Sequence, residues 1–282
     1  MIQRVAILGI GLIGGSFALA LKKRGLARYI IGVARREETL RLALESGACD
    51  EATSNAVEAA RGADLVFLAS PVGALPDLCA QIAPFLAPDC LVTDGGSTKA
   101  RVVEACEPLF GSAHFVGGHP MAGGAESGPG AARADLFEGA TWILTPTPRT
   151  NHAALQTLRE LVSDLGARPL EMAPQLHDEL LAVSSHLPHL TASALVQTFS
   201  KSKQNAPQIA ELVAGGWRDS TRIAAGSAEM WRDICLDNAS SIEVALDEFA
   251  RQLQTLRALV AARDGDGLQA WLDEAARERK QV

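Results

Sequence analysis

RVAILGIGLIGGSFALALKK, residues 4–23, decides the fold. After Arg4 it runs as an uncharged apolar segment that reads as a strand and continues as small and apolar residues at helical spacing before two lysines. Between the two stands GIGLIG, Gly9–Gly14, the G-x-G-x-x-G spacing set directly after a strand and opening a helix. In that setting Gly9 permits the tight turn, Gly11 lets backbone approach a pyrophosphate, and Gly14 lets the helix pack close on the strand. The helix N-terminus, beginning at Leu12 and Ile13, receives the negative charge. Gly9, Gly11, Leu12, Ile13 and Gly14 are therefore the expected dinucleotide contacts; a glycine turn without a ligand is the competing reading. The A-x-A at Ala18–Ala20 and the preceding Arg4 imitate a secretory leader, but the lysines follow the apolar segment and the glycine phasing accounts for it better.

Outward from this unit the alternation continues. YIIGVA, ADLVFLAS and CLVTDGG read as strands, with EETLRLALESG, ALPDLCAQIAPFL and KARVVEACEPLF as helices between and after them. HFVGG, ATWILTP and RPLEMA look like further strands, the last two separated by the helix NHAALQTLRELVSDLG. Strand and helix in alternation imply a Rossmann-type, doubly wound, mostly parallel sheet over residues 1–172. After Pro174 the strand signals stop, and Leu176, Leu180, Leu181, Leu187, Leu190 and Leu195 recur at helical spacing, as do apolar residues from Ile234 onward. Residues 173–282 are expected to form an all-helical domain whose apolar excess needs a second copy to cover it, so a homodimer is expected.

Composition narrows the function. A net charge of −7 offers no broad basic surface, so nucleic acid is not an expected partner. No run reaches the length of a membrane span, about 18 uncharged apolar residues. Five scattered cysteines, never spaced C-x-x-C, fit neither a disulfide framework nor a thiolate metal site and read as reduced, cytoplasmic residues.

The second strand ends in ARR, where NAD-binding folds often carry an acid for the ribose hydroxyls. Arg35 and Arg36 instead suit a 2′-phosphate, which favours NADP over NAD. The competing reading leaves both arginines in solvent, paired with Glu37 or Glu38. Ser70 and Pro71, in ASPVG, end another strand and are expected along the adenosine half of the cofactor. Three polar clusters remain: DGGSTK with Ser97 and Lys99, GGHPMAGGAESG with His119, and the helical-region segments SSHLPHL and GGWRDSTRIAAGSAEMWRDI. His119, framed by glycines, is expected at the carboxyl edge of the sheet in a pliant loop. The H-x-x-H of His186 and His189 could hold a metal on a regular helix, but Pro188 lies between them and no third ligand is nearby in sequence.

GIGLIGGS, DGGSTK, GGHPMAGGAESG, SHLPHLTASALV and TRIAAGSAEMWRDI, in this order along nearly the whole chain, resemble the prephenate and arogenate dehydrogenases of tyrosine biosynthesis. The resemblance implies oxidative decarboxylation with a nicotinamide cofactor and no metal, in a dimer joined through the helical domain. It assigns His119 as the catalytic base, Ser97 as its partner and a contact to the substrate hydroxyl, and Lys99 as a neighbour of that site. His189 and Arg222 become substrate contacts, Arg222 as a carboxylate clamp. It also raises tyrosine feedback inhibition by competition in the active site. No mutase domain is expected before Met1, and little room is left for a separate regulatory domain.

Other assignments stay open. His119 could bond a backbone carbonyl in a turn, and His186 could be a packed helix-face residue. Arg218 and Arg232 could pair with Asp219, Asp233 or Asp237, and Trp217 and Trp231 could fill the helical core. Many relatives read HPMAGSEKSG, so Gly124 and Ala125 depart from the pattern, Glu126 is displaced, and substrate preference is left open. Fold alone would also admit a 3-hydroxyacid dehydrogenase, a pyrroline-carboxylate reductase or a nicotinamide-binding regulator without turnover.

Overall fold

A computed structural model describes residues 1–124 and 128–281. The positions Ala125 and Glu126, where the family pattern is broken, lie outside the described residues. The strands are β1 (Ile2–Leu8), β2 (Ala27–Val33), β3 (Glu51–Thr53), β4 (Leu65–Leu68), β5 (Leu91–Asp94), β6 (His114–Pro120), β7 (Thr141–Thr145) and β8 (Arg168–Glu171). They form one sheet in the order β3-β2-β1-β4-β5-β6-β7-β8. Strands β1 to β6 pair in parallel, β7 runs antiparallel to β6, and β8 is parallel to β7. The short strand β3 has no β-branched run to announce it; Glu51-Ala-Thr is a strand because β2 offers it an edge.

Helices α1 (Leu12–Lys23), α2 (Glu37–Glu45), α3 (Ala56–Ala60), α4 (Leu75–Ile82), α5 (Ala100–Cys106) and α6 (His152–Asp164) cover the sheet. On one face Phe17, Phe67, Trp142 and Phe137 make an aromatic centre, with Phe17 and Phe67 ring centroids 4.2 Å apart. On the other, Leu75, Ile82, Val102, Phe110 and Phe115 pack over β4 and β5. Burying both faces explains why the central strands are continuous apolar runs rather than alternating ones.

Helices α7 (Pro174–Leu181), α8 (Leu187–Asn205), α9 (Gly215–Thr221), α10 (Ala228–Asp237), α11 (Ala239–Ala262) and α12 (Gly265–Arg279) follow. Pro188 does not break a helix: the chain widens into a π-helical turn at Ala182–His186, and Pro188 falls in the first turn of α8, where no backbone donor is needed. The helical region has a small core of its own, Ala182, Ile242 and Ala245 with Leu187, Leu190 and Cys235 beside them. Helix α10 instead sends Ile234 and Trp231 into the second core of the sheet domain. Large apolar side chains stay in solvent on these helices and the segments that join them, Leu212, Val244 and Leu236 among them. No helix among the described residues is long and apolar enough to cross a membrane.

Candidate active site

The carboxyl ends of the parallel strands carry a cleft of about 1170 Å³. Its floor is the glycine turn. Gly9 has φ +116°, and a Cβ there would stand 2.5 Å from the Ala69 carbonyl on the neighbouring strand end, so only glycine fits. Gly14 is equally constrained, its Cβ position lying 2.2 Å from the Gly9 carbonyl oxygen. Gly11 differs: nothing lies within 4 Å of its Cβ position. That open space, at the N-cap of α1, is what a pyrophosphate needs, so the cradle fits a dinucleotide. Leu12 and Ile13 do not line the cleft; their side chains pack on the sheet core, and only their backbone belongs to the helix terminus.

The rest of the wall comes from Ala34, Arg35, Thr39, Ser54, Ser70 and Pro71. Ser70 Oγ donates to the Leu8 carbonyl at 3.0 Å, which fixes its side chain on the strand end. Arg35 lines the cleft, but Arg36 does not: it is the exposed N-cap of α2. The helical region closes the other side, because Glu229, Arg232 and Asp233 of α10 also line the cleft. Arg232 pairs with Asp233 at 2.6 Å, as one of the sequence alternatives allowed.

His119 sits near the end of β6 and is buried, not in a pliant loop. The preceding glycines serve packing: a Cβ on Gly117 would lie 2.3 Å from Thr145 Oγ1, and one on Gly118 would lie 2.7 Å from the Asp94 carbonyl. Gly118 N–H donates to Asp94 Oδ1 at 3.0 Å, and Gly96 N–H to Asp94 Oδ2 at 2.8 Å. Lys99 Nζ completes this buried carboxylate, and both side chains of the pair are fully buried.

His119 Nδ1 lies 2.8 Å from Nε2 of His177, so its hydrogen-bond partner is His177 and not Ser97. His177 Nδ1 in turn meets Asp178 Oδ1 at 2.7 Å. The Asp178 carboxylate also accepts from the backbone N–H groups of Lys99 and Ala100, each at 2.8 Å. Ser97 is half-buried and its backbone faces His186. His177 and Asp178 escaped the sequence reading: they lie on α7 among ordinary helix-forming residues, 58 positions from His119. The available signal was a histidine and an acid side by side just after the last strand.

Burial, followed by the like charges that His177, Lys99 and His186 would present, holds His119 well below the ordinary histidine range. The shift favours the neutral imidazole. Burial also lowers His177, against the pull of its Asp178 hydrogen bond. His186 is pushed down to about 4, again first by burial, while Asn238 Nδ2 lies 3.3 Å from its Nδ1.

Beyond this group His189 is buried and stacks on Trp231, ring centroids 3.6 Å apart and planes within 10°. Trp231 thus joins the two regions rather than filling the helical core, whereas Trp217 packs on Phe199 at 4.3 Å. Arg222 and Arg218 are exposed, and neither forms a salt bridge among the described residues. The turn Arg222–Ala225 packs on α8, and a Cβ on Gly226 would reach within 3.3 Å of the His189 ring. A groove of about 720 Å³ at the opposite edge of the sheet, lined by Met1, Asp64 and Glu160, contains none of these groups.

Residues 17–171 match the family "Prephenate dehydrogenase, nucleotide-binding domain", and residues 173–274 match "Prephenate dehydrogenase, dimerization domain". Prephenate dehydrogenase of Bacillus subtilis is 38% identical over 270 residues, 95% of this chain and 73% of that protein. Cyclohexadienyl dehydrogenase of Zymomonas mobilis is 35% identical over 281 residues, covering 98% of this chain and 95% of the relative. The crystal structure of A. aeolicus prephenate dehydrogenase in complex with hydroxyphenyl propionate and NAD+ superposes with a TM-score of 0.91 at 34% identity, over 100% of this chain and 98% of that one. With a dinucleotide cradle and a neutral buried histidine at the same sheet edge, the chain belongs to the prephenate dehydrogenase family of oxidoreductases.

Proposed function

We propose that this chain oxidises and decarboxylates prephenate, arogenate or both, with NADP preferred to NAD. The observation that carries the reading is His119, a buried imidazole kept neutral, with Nδ1 occupied by His177 and Nε2 left for a substrate hydroxyl. The nicotinamide cofactor, when bound, supplies a hydride acceptor. His119 takes the proton of the ring hydroxyl, which is the work of a general base whose neutral form dominates. Ser97, half-buried at the end of β5, is the second group offered to that hydroxyl. Arg222, exposed and free of an ion pair among the described residues, is the bidentate clamp for a substrate carboxylate. His189, held flat against Trp231, forms the wall beside it. Once the ring carbon carries a carbonyl, that carbonyl accepts the electron pair released as the carboxylate departs, and aromatisation drives the step.

NADP is favoured by Arg35, which lines the adenosine part of the cleft at the end of β2, where no carboxylate stands. A homodimer through the helical domain is supported by the small local core and by Leu212, Val244 and Leu236 in solvent. Tyrosine, which shares the ring and side chain of the products, is proposed to inhibit by competing for the same site. The test is a set of initial rates crossing prephenate and arogenate with NADP and NAD, with released carbon dioxide measured alongside. Turnover without carbon dioxide would replace the reading with a simple hydroxyacid dehydrogenase. Arg35→Ala is expected to weaken NADP by about tenfold or more and NAD little, as loss of charge-assisted phosphate bonds requires. Equal effects on both cofactors would remove the NADP preference.

A further inference from the structure

We propose that His177 and Asp178 form a proton relay behind His119, with His177 as the positioning residue that sets the tautomer of the base and shares the proton it takes up. This rests on the dehydrogenase reading above. Asp178 is pinned by the Lys99 and Ala100 backbone donors, and Asn238 Nδ2 holds its own carbonyl at 2.8 Å. An ionised carboxylate only accepts, so His177 Nδ1, 2.7 Å away, must carry its hydrogen. Neutral His177 then has a bare Nε2, which can only accept. His119 Nδ1, 2.8 Å from it, must therefore donate, and the lone pair of neutral His119 is forced onto Nε2. Three buried groups in series thus remove the tautomeric freedom of the base.

The proton balance of the reaction gives this arrangement a use. With a nicotinamide cofactor bound to accept the hydride, the hydroxyl proton would pass to His119 Nε2. The bond to the departing carboxylate breaks, its electron pair enters the ring, and the carbonyl pair returns to oxygen as a phenolate. That phenolate recovers the proton to become the phenol, so none is released overall. The base must therefore hold a proton for one step and hand it back. An isolated imidazolium would be costly beside the buried Lys99 ammonium. If His119 passes its Nδ1 proton to His177 Nε2 as it gains one on Nε2, the positive charge moves onto His177, against the Asp178 carboxylate. The return transfer restores both rings. Because His177 and Asp178 belong to α7 and His119 to β6, docking of the helical region on the sheet is what makes the base competent.

The test has two arms. His177→Phe fills the space without an acceptor, whereas His177→Gln keeps one. The phenylalanine variant is expected to lose about a hundredfold in kcat with KM for substrate and cofactor changed by less than about twofold, and the glutamine variant to recover only part of that loss, because its amide oxygen can hold the His119 tautomer but cannot take the proton. Nitrogen NMR of the imidazole rings in the wild-type protein is expected to find the His119 proton on Nδ1. Unchanged kcat in His177→Phe, wild-type kcat in His177→Gln, or a His119 proton on Nε2 would each overturn the relay. Wild-type protein with the expected tautomer but no turnover of either substrate would support the relay and overturn the substrate reading instead.

Discussion

Lys99 shows how a buried residue beside His119 can matter through its charge. Its ammonium and the Asp94 carboxylate are fully buried, and Asp94 is held further by two backbone donors from Gly96 and Gly118. Such a pair contributes little net stability, yet removing one member strands the other. Lys99→Met is expected to cost about 3–5 kcal/mol, read from denaturant midpoints, with Asp94→Asn/Lys99→Met recovering part of it. Additive losses in the double variant would show that the two groups do not depend on each other. The same substitution bears on the base. Lys99 is one of the charges that hold the His119 imidazolium down, so its removal raises that group. The acid limb of the pH profile of kcat/KM, where the base must be neutral, is then expected to move to higher pH. A limb that stays in place would mean that Lys99 does not set the electrostatics of His119.

At the level of the strand–turn–helix unit, the glycines divide by what surrounds them. Gly9→Ala forces a side chain into φ +116° and against the Ala69 carbonyl, so a loss of about 2 kcal/mol or more is expected. Gly11→Ala meets open space, and as an N-cap change it is expected to cost under about 1 kcal/mol while weakening the cofactor severalfold. Melting temperatures and cofactor titrations on the two variants separate a structural glycine from a ligand-approach glycine; equal effects would remove that distinction. The turn and the parallel strands were legible because they are local: a glycine spacing after a strand is set by a few neighbouring backbone atoms. Strand β3 was not, since only its edge pairing makes it a strand. Nor was the setting of His119. The glycines before it suggest mobility in sequence, but Thr145, Thr93 and Asp94 press on their Cα positions, and these come from β7 and β5. His177 and Asp178 were invisible for the same reason, as their meaning exists only where α7 docks against β6 and the start of α5.

Across the whole molecule, four histidines converge where the helical region meets the sheet, and burial is the first cause that keeps each below its ordinary value. This ties folding to pH with a definite sign. A histidine whose folded value is depressed binds fewer protons in the native protein than in the unfolded chain between the two values, so stability rises with pH there and is lost as pH falls. For His186 the window runs from the ordinary histidine value, 6.5, down to about 4. Between about pH 7.5 and pH 5, His186 alone should remove about 2 kcal/mol of stability, and His119 and His177 act in the same direction. Because the four rings join the two regions, protonation should loosen their docking before it unfolds the sheet, whose cores on either face are carried by Phe17, Phe67 and Trp142 and by Leu75, Val102 and Phe115. Urea midpoints at the two pH values, followed by Trp231 fluorescence and by far-ultraviolet circular dichroism, check both parts. The expected outcome is a lower midpoint at the acidic pH, with the Trp231 signal changing first, since its stacking partner His189 is among the groups that charge. His186→Asn should flatten the pH dependence by the share assigned to that residue. Stability independent of pH across this window would mean that these rings are solvated or already charged in the folded protein. That result would also remove the physical basis for a neutral His119 at the active site.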